Sequence, residues 1–162
     1  MPAATILVVD DEPNILTSVS RALGLEGYGV EVAGSAEIGL EKLESQAFDA
    51  ILLDVQLPGM DGLAMLDELR SREITTPVIM MSGHGTIDVA LKATRRGADD
   101  FLEKPIGTER LVLSLKRSLE LRELQAENQE LRRRYGPGES LLGQSASMMR
   151  LREQIGLGAR SN

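Results

Sequence analysis

The 162-residue chain contains no cysteine and no tryptophan, and aromatic residues amount to 2% of it. Without thiols it can build neither a disulfide framework nor a thiolate metal site. With so few aromatics it offers no stacking surface for unpaired bases, and its core must be aliphatic. No apolar run approaches membrane-spanning length, and the first residues show no basic-then-apolar signal pattern. The expected location is therefore the cytoplasm, with no membrane partner. Positive charge is scarce in most of the chain: residues 1–109 hold 8 Lys and Arg against 19 Asp and Glu. So acidic a body argues against direct nucleic-acid binding through phosphates. Residues 110–162 reverse the balance, 10 against 6. There the run Arg132-Arg133-Arg134 reads as a solvated helix end rather than a DNA contact.

What is present is a regular alternation of short apolar runs and amphipathic stretches. The runs Thr5–Val9, Gly29–Ala33, Ala50–Leu53, Pro77–Met81 and Asp100–Leu102 predict five strands. Between them, Ile15, Leu16, Val19, Ala22 and Leu23 repeat at helical spacing after Pro13, and Gly27 closes that helix. Ser35 can cap a second helix whose inner face is Ile38, Leu40 and Leu43. Leu63, Leu66 and Leu69 predict a third. A fourth, opened by Thr86 or Asp88 and ended at Gly97, can bury little beyond Val89, Ala90, Leu91 and Ala93, so it should be the least firmly held. The last helix starts near Thr108 and meets no breaker before about Tyr135. Five such units predict a doubly wound α/β fold, a five-stranded parallel sheet of flavodoxin-like order 2-1-3-4-5, followed by a long helical linker.

The strand ends carry the chemistry. The first runs into Asp10-Asp11, the third into Asp54 beside a Pro58-Gly59 turn, the fourth into Ser82 and the fifth into Lys104. In such sheets ligands bind outside the carboxyl ends of the strands, so all four ends would aim at one spot. Any one of these groups alone is an ordinary polar strand end; the coincidence of four complementary ones is the signal. Three clustered carboxylates repel unless a cation intervenes, and a hard divalent ion with oxygen ligands, Mg²⁺, suits them. Lys104 supplies a point charge for a phosphate oxygen and Ser82 a hydroxyl donor. The parts fit phosphoryl transfer to a carboxylate, with Asp54 as the nucleophile. His84, beside the site, reads as a solvated loop residue, and Met80 and Met81 read as core.

The segments Leu7-Val-Val-Asp-Asp-Glu-Pro13, Leu53-Asp-Val-Gln-Leu-Pro-Gly-Met-Asp-Gly62, Val78-Ile-Met-Met-Ser-Gly-His84 and Gly97-Ala-Asp-Asp-Phe-Leu-Glu-Lys-Pro105 resemble the receiver domain of two-component response regulators. The likeness covers residues 4 to about 120. It implies a sensor histidine kinase as phosphoryl donor to Asp54 and a Mg²⁺ site of Asp10, Asp11, Asp54 and the backbone carbonyl of Gln56. It also implies Lys104 on the phosphoryl oxygens, presented by a cis bond to Pro105, and a switch pair, Ser82 and Phe101. Many relatives carry Thr and Tyr at those two positions, and Phe101 has no hydroxyl to contribute.

In the tail, Leu121, Leu124, Asn128, Leu131 and Tyr135 fall at a and d positions of a heptad, and Asn at an a position is suited to a two-stranded coiled coil. A homodimer through the fourth and fifth helices and this linker is favoured over one amphipathic helix packed on its own domain. Gly136-Pro137-Gly138 then breaks the helix. The stretch Leu141-Leu-Gly-Gln-Ser through Ile155 resembles the opening of the central ATPase domain of sigma-54-dependent activators. The expected layout is 1–119 receiver, 120–137 coiled-coil linker and 138–162 the start of a truncated ATPase domain, whose phosphate-binding loop the sequence does not contain. That resemblance implies a downstream ATPase and sigma-54 RNA polymerase as partners. Two other readings are a Mg²⁺-dependent phosphohydrolase with an aspartyl-phosphate intermediate, and a constitutive dimerisation module with an idle site. Haloacid-dehalogenase-like hydrolases place their nucleophile after the first strand and a second acid two residues on, where this chain has Gln56.

Overall fold

The computed structural model describes residues 4–135, with side chains through Arg132. The resemblance to an ATPase domain at Leu141–Ile155, the Gly136-Pro137-Gly138 break and the side chain of Tyr135 lie outside the described residues.

Five strands, β1 (Thr5–Val9), β2 (Gly29–Ala33), β3 (Ala50–Asp54), β4 (Val78–Ser82) and β5 (Asp100–Glu103), form one parallel sheet of order β2-β1-β3-β4-β5. Helices α1 (Pro13–Leu25), α2 (Ala36–Ser45), α3 (Gly62–Ser71) and α4 (Ile87–Arg95) make the crossovers, and α5 (Thr108–Tyr135) follows β5. The expected fold class and strand order are those observed. The chain divides into two compact units, and the first, which holds the sheet, ends at Glu120. Among the described residues no helix is long and apolar enough to cross a membrane.

The period-two alternation of each strand divides the core into two layers. Leu7, Val9, Ile51, Leu53, Val78 and Met80 face α2, α3 and the buried Ala93 of α4. Ile6, Val8, Leu52, Ile79, Met81 and Leu102 face Val19 and Leu23 of α1 and Leu111 and Leu115 of α5. Met80 and Met81 thus fill opposite layers, both fully buried. The central strands β1, β3 and β4, buried on both faces, read as apolar runs, whereas β2 and β5 at the sheet edges are partly exposed and carry Glu31, Asp100 and Glu103.

Three helix faces differ from expectation. In α2, Ile38 is 44% exposed; Ala36, Gly39 and Leu40 form the inner face instead. Gly39 is the reason, since a Cβ there would sit 3.1 Å from both Met65 Cε and Val9 Cγ2, so the helix approaches the sheet through its smallest residues. In α3, Met65 joins Leu66 and Leu69 in the core while Leu63 is only partly buried. In α4 only Ala93 is buried, and Leu91 is 48% exposed. Caps were more legible: Ser35 accepts from Ile38 N–H at 3.1 Å, and Thr86 from Val89 N–H at 3.2 Å.

Candidate functional site

Register brings the polar strand ends together. Val9 pairs with Leu53, so Asp10 follows directly beside Asp54. Asp54 pairs with Met81, one residue before Ser82, and Ser82 pairs with Glu103, one residue before Lys104. Each chemical group therefore emerges at or just past the same carboxyl edge. The backbone continues the alignment, with Val55 N–H donating to Met81 O at 2.9 Å and Lys104 N–H donating to Ser82 O at 2.7 Å.

Asp10 is fully buried, Asp54 nearly so, and Asp11 is exposed; each offers a carboxylate oxygen within 4.8 Å of the others. Each inner carboxylate is held by the loop that follows it. Asp10 Oδ1 accepts from Glu12 N–H at 2.9 Å, and Asp54 Oδ1 from Gln56 N–H at 3.2 Å. Lys104 Nζ lies between the remaining oxygens, 2.8 Å from Asp10 Oδ2 and 3.1 Å from Asp54 Oδ2. The Asp54 contact is a hydrogen bond. Asp10 Oδ2 is close enough for an ion pair but makes no well-aligned hydrogen bond. The Lys104–Pro105 bond is cis. Ser82 is buried, and its hydroxyl accepts from His84 N–H at 3.2 Å; His84 itself is exposed.

These contacts set the protonation balance. Burial first, and the Asp10 carboxylate second, raise the Asp54 pKa; the Lys104 ammonium and the Gln56 N–H oppose them without cancelling. For Lys104, burial works against the charge, but pairing with Asp10 and Asp54 prevails and its pKa is raised. The lysine therefore stays an ammonium between the two inner carboxyl groups.

The sequence profile of the response regulator receiver domain matches residues 6–116. The chain belongs to the receiver domain family. Among curated receivers of this kind, it is 39% identical to the nitrogen assimilation regulatory protein NtrX of Azorhizobium caulinodans, over 94% of this chain and 34% of the relative. It is 36% identical to the C4-dicarboxylate transport transcriptional regulatory protein DctD of Pseudomonas aeruginosa, over 93% of this chain and 34% of that one. It thus spans about a third of the length of these relatives. The crystal structure of NtrX from Brucella abortus superposes with a TM-score of 0.77 at 44% identity, covering 81% of this chain and 30% of that one. A receiver domain from Clostridium thermocellum superposes at 0.72 with 30% identity, covering 75% of this chain and 98% of that one.

The receiver site has supports that the linear sequence did not announce. Glu37, in the first turn of α2, accepts from Met60 N–H at 3.1 Å and so braces the β3–α3 loop from outside. Only the turn chemistry of Pro58-Gly59 hinted that this loop needed a brace. Gly62 abuts Asp54 directly: a Cβ there would fall inside the Asp54 carbonyl and 2.9 Å from Val55 Cα. Phe101, half-buried, lies against Gly85, where a Cβ would come within 2.8 Å of its ring. The ring lines an open cleft of about 320 Å³ with Thr86, Ile87, Ala90, Glu103 and Arg110.

Proposed function

We propose that Asp54 is the phosphoacceptor of a switch module that takes its phosphoryl group from a sensor histidine kinase, with Mg²⁺ held by Asp10, Asp11, Asp54 and the backbone carbonyl of Gln56. One observation carries the reading: three carboxylates converge within 4.8 Å while Lys104 reaches two of them. The donor set suits the ion, being all hard oxygen, and the buried Asp10 Oδ2 has the Lys104 ammonium beside it but no well-aligned hydrogen bond. When bound, Mg²⁺ supplies the positive charge that lets phosphoryl oxygens approach three acids.

The chain's own part is positioning and charge. An Asp54 oxygen forms a bond to phosphorus while the P–N bond of the donor's phosphohistidine breaks. The electron pair leaves with the imidazole, which takes up a proton. Lys104 transfers its pairing from Asp54 to a phosphoryl oxygen, and the Ser82 hydroxyl turns toward another. The Phe101 ring then follows into the space beside Ser82. The consequence is a shift of α4, the least buried helix, and of its surroundings.

Downstream, the shift alters the arrangement of a homodimer built on the fourth and fifth helices and a linker seam of Leu121, Leu124, Asn128, Leu131 and Tyr135. Leu121, Leu124 and Leu131 are 57%, 60% and 50% exposed, which supports a seam awaiting a second copy. In a longer cytoplasmic regulator, with the layout 1–119, 120–137 and 138–162 onward, that arrangement would govern an ATPase acting on sigma-54 RNA polymerase. The module is not itself an enzyme; it accepts and slowly loses its own phosphoryl group.

Light scattering with and without Mg²⁺ plus beryllofluoride tests the reading, with Asp54→Ala as control. A change of mass or hydrodynamic radius in the wild type alone is the expected result. No response in the wild type, or an equal response in Asp54→Ala, would overturn it.

A further inference from the structure

At the end of the sheet opposite the carboxylates, one side chain ties together two connections. Arg70, in the last turn of α3, donates through Nε and Nη2 to Gly97 O at 3.2 and 2.7 Å. Through Nη1 it donates to Ile74 O at 2.7 Å and Thr76 O at 2.9 Å. Its Nη2 also lies 3.4 Å from Asp99 Oδ2, and that carboxylate oxygen accepts from Val78 N–H, at the start of β4, at 2.8 Å. One planar guanidinium thus serves the α3–β4 and α4–β5 connections together, a task its rigid fork suits and an ammonium does not. Gly97 is shaped for it. Its φ of +100° is in the left-handed region, and a Cβ there would sit 2.9 Å from Arg70 Nε. A second link lies alongside, Arg96 Nη1 to Asp67 Oδ2 at 3.2 Å.

The other end of α4 has no comparable hold. Its first turn is capped by its own Thr86, Ile87 is 80% exposed, and the helix's one buried residue, Ala93, lies in its C-terminal half. The anchored end is remote from Ser82, and the free end begins five residues after it.

We propose that Arg70 is the fixed pivot of α4: the helix swings about its C-terminal Gly97–Arg70 anchor, and the displacement grows toward the Ile87 end that adjoins the site. Burial decides the direction, because motion takes the path that breaks the fewest buried contacts. An anchored lever converts a small shift at Ser82 into a directed movement of the exposed Ile87 and Leu91, with no sliding of the whole helix. The direction of swing rests on the phosphoacceptor reading above; the anchor itself does not.

Amide hydrogen exchange of the whole chain tests both, read at Val89 and Ala90 at the free end and at Arg96, Gly97 and Ala98 at the anchored end, all of which donate hydrogen bonds. Without any phosphate mimic, the anchored amides should exchange more slowly than the free ones. Arg70→Gln should quicken the anchored set about tenfold, the equivalent of one hydrogen bond of ordinary net strength, and leave the free set unchanged. Arg70→Lys, milder in volume and charge, should do the same to a lesser degree. With Mg²⁺ and beryllofluoride, bound fluoride being followed by fluorine NMR, wild-type Val89 and Ala90 should change protection while Arg96–Ala98 do not. Equal exchange at both ends in the unliganded wild type, or a beryllofluoride response as large at Gly97 as at Ala90, would overturn the pivot. If no bound fluoride were seen, the phosphoacceptor reading would fall, and the unliganded gradient with its loss in the Arg70 variants would still decide the anchor.

Discussion

Helices α3 and α4 follow adjacent strands, start from capped first turns near the same rim, and are 10 and 9 residues long. Their attachments are opposite. α3 buries Gly62, Met65, Leu66 and Leu69, and its first residue is pressed against the Asp54 carbonyl. α4 buries Ala93 alone. One architecture thus provides a firmly packed helix beneath the carboxylate and, one crossover later, a helix held by a single buried residue beside Ser82. The lesson is that composition of the inward face, not position in the fold, separates the two roles.

The sharpest way to break this contrast is to disturb the foundation at its closest approach. Gly62→Ala places a methyl group into the Asp54 carbonyl, where no side chain can yield, and should cost about 3 kcal/mol or more. An unchanged urea midpoint would show that α3 is freer than its packing implies. Nearly as large is the difference between paired truncations. Leu66→Ala in α3 should cost about 3 kcal/mol, because it opens a cavity in a fully buried site. Leu91→Ala in α4 should cost less than about 0.5 kcal/mol, as surface changes do. Equal losses in chemical denaturation would erase the comparison.

A smaller effect concerns the charge that the foundation holds. The Asp54 pKa is raised in the folded chain, first by burial and then by Asp10, so the native state binds that proton more tightly than the unfolded chain does. This contribution to stability is therefore greatest at acid pH and declines as pH rises through the unfolded-state value to the folded one. At neutral pH without divalent ions, Asp54→Asn should raise the melting temperature by about 2–4 °C. Calorimetry showing a fall would mean that the Lys104 pairing outweighs the desolvation. The smallest effect is expected at Gly85→Ala. The added methyl crowds the swingable Phe101 ring and meets Ser82 Cβ only at an ordinary 3.6 Å, so stability should change by less than about 1 kcal/mol. The change of mass or radius on adding beryllofluoride should nevertheless be reduced, because the ring's resting place is the perturbed feature. A full response in light scattering would detach Phe101 from the switch.

Much of this was legible in order of residues. Strands β1, β3 and β4, buried on both faces, announce themselves as apolar runs with the polar terminators Asp10, Asp54 and Ser82 one or no residue beyond, and Lys104 directly follows the short edge strand β5. The poverty of α4 in large apolar residues was equally plain. The inner face of α2 was not: Ile38 fits the helical period, yet Gly39 and Ala36 face the sheet because Met65 and Val9 already occupy the space a larger residue would need. Periodicity counts apolar residues around a helix but cannot weigh the volume of what they meet. Glu37 and Arg70 were missed for a related reason. Their partners are backbone groups distant in sequence, and backbone groups carry no sequence signal.

The sequence by itself determined the sheet, its order of chemistry and the acidic rim, because each depends on local pattern and on the near-invariant hand of βαβ crossovers. The tertiary structure alone decided that Asp10 would be fully buried, that Lys104 would bridge it to Asp54, and that the end of α4 would be tied at Gly97. Those outcomes depend on which surfaces meet at distances of a few ångströms, and that is a property of packing rather than of any single stretch of chain.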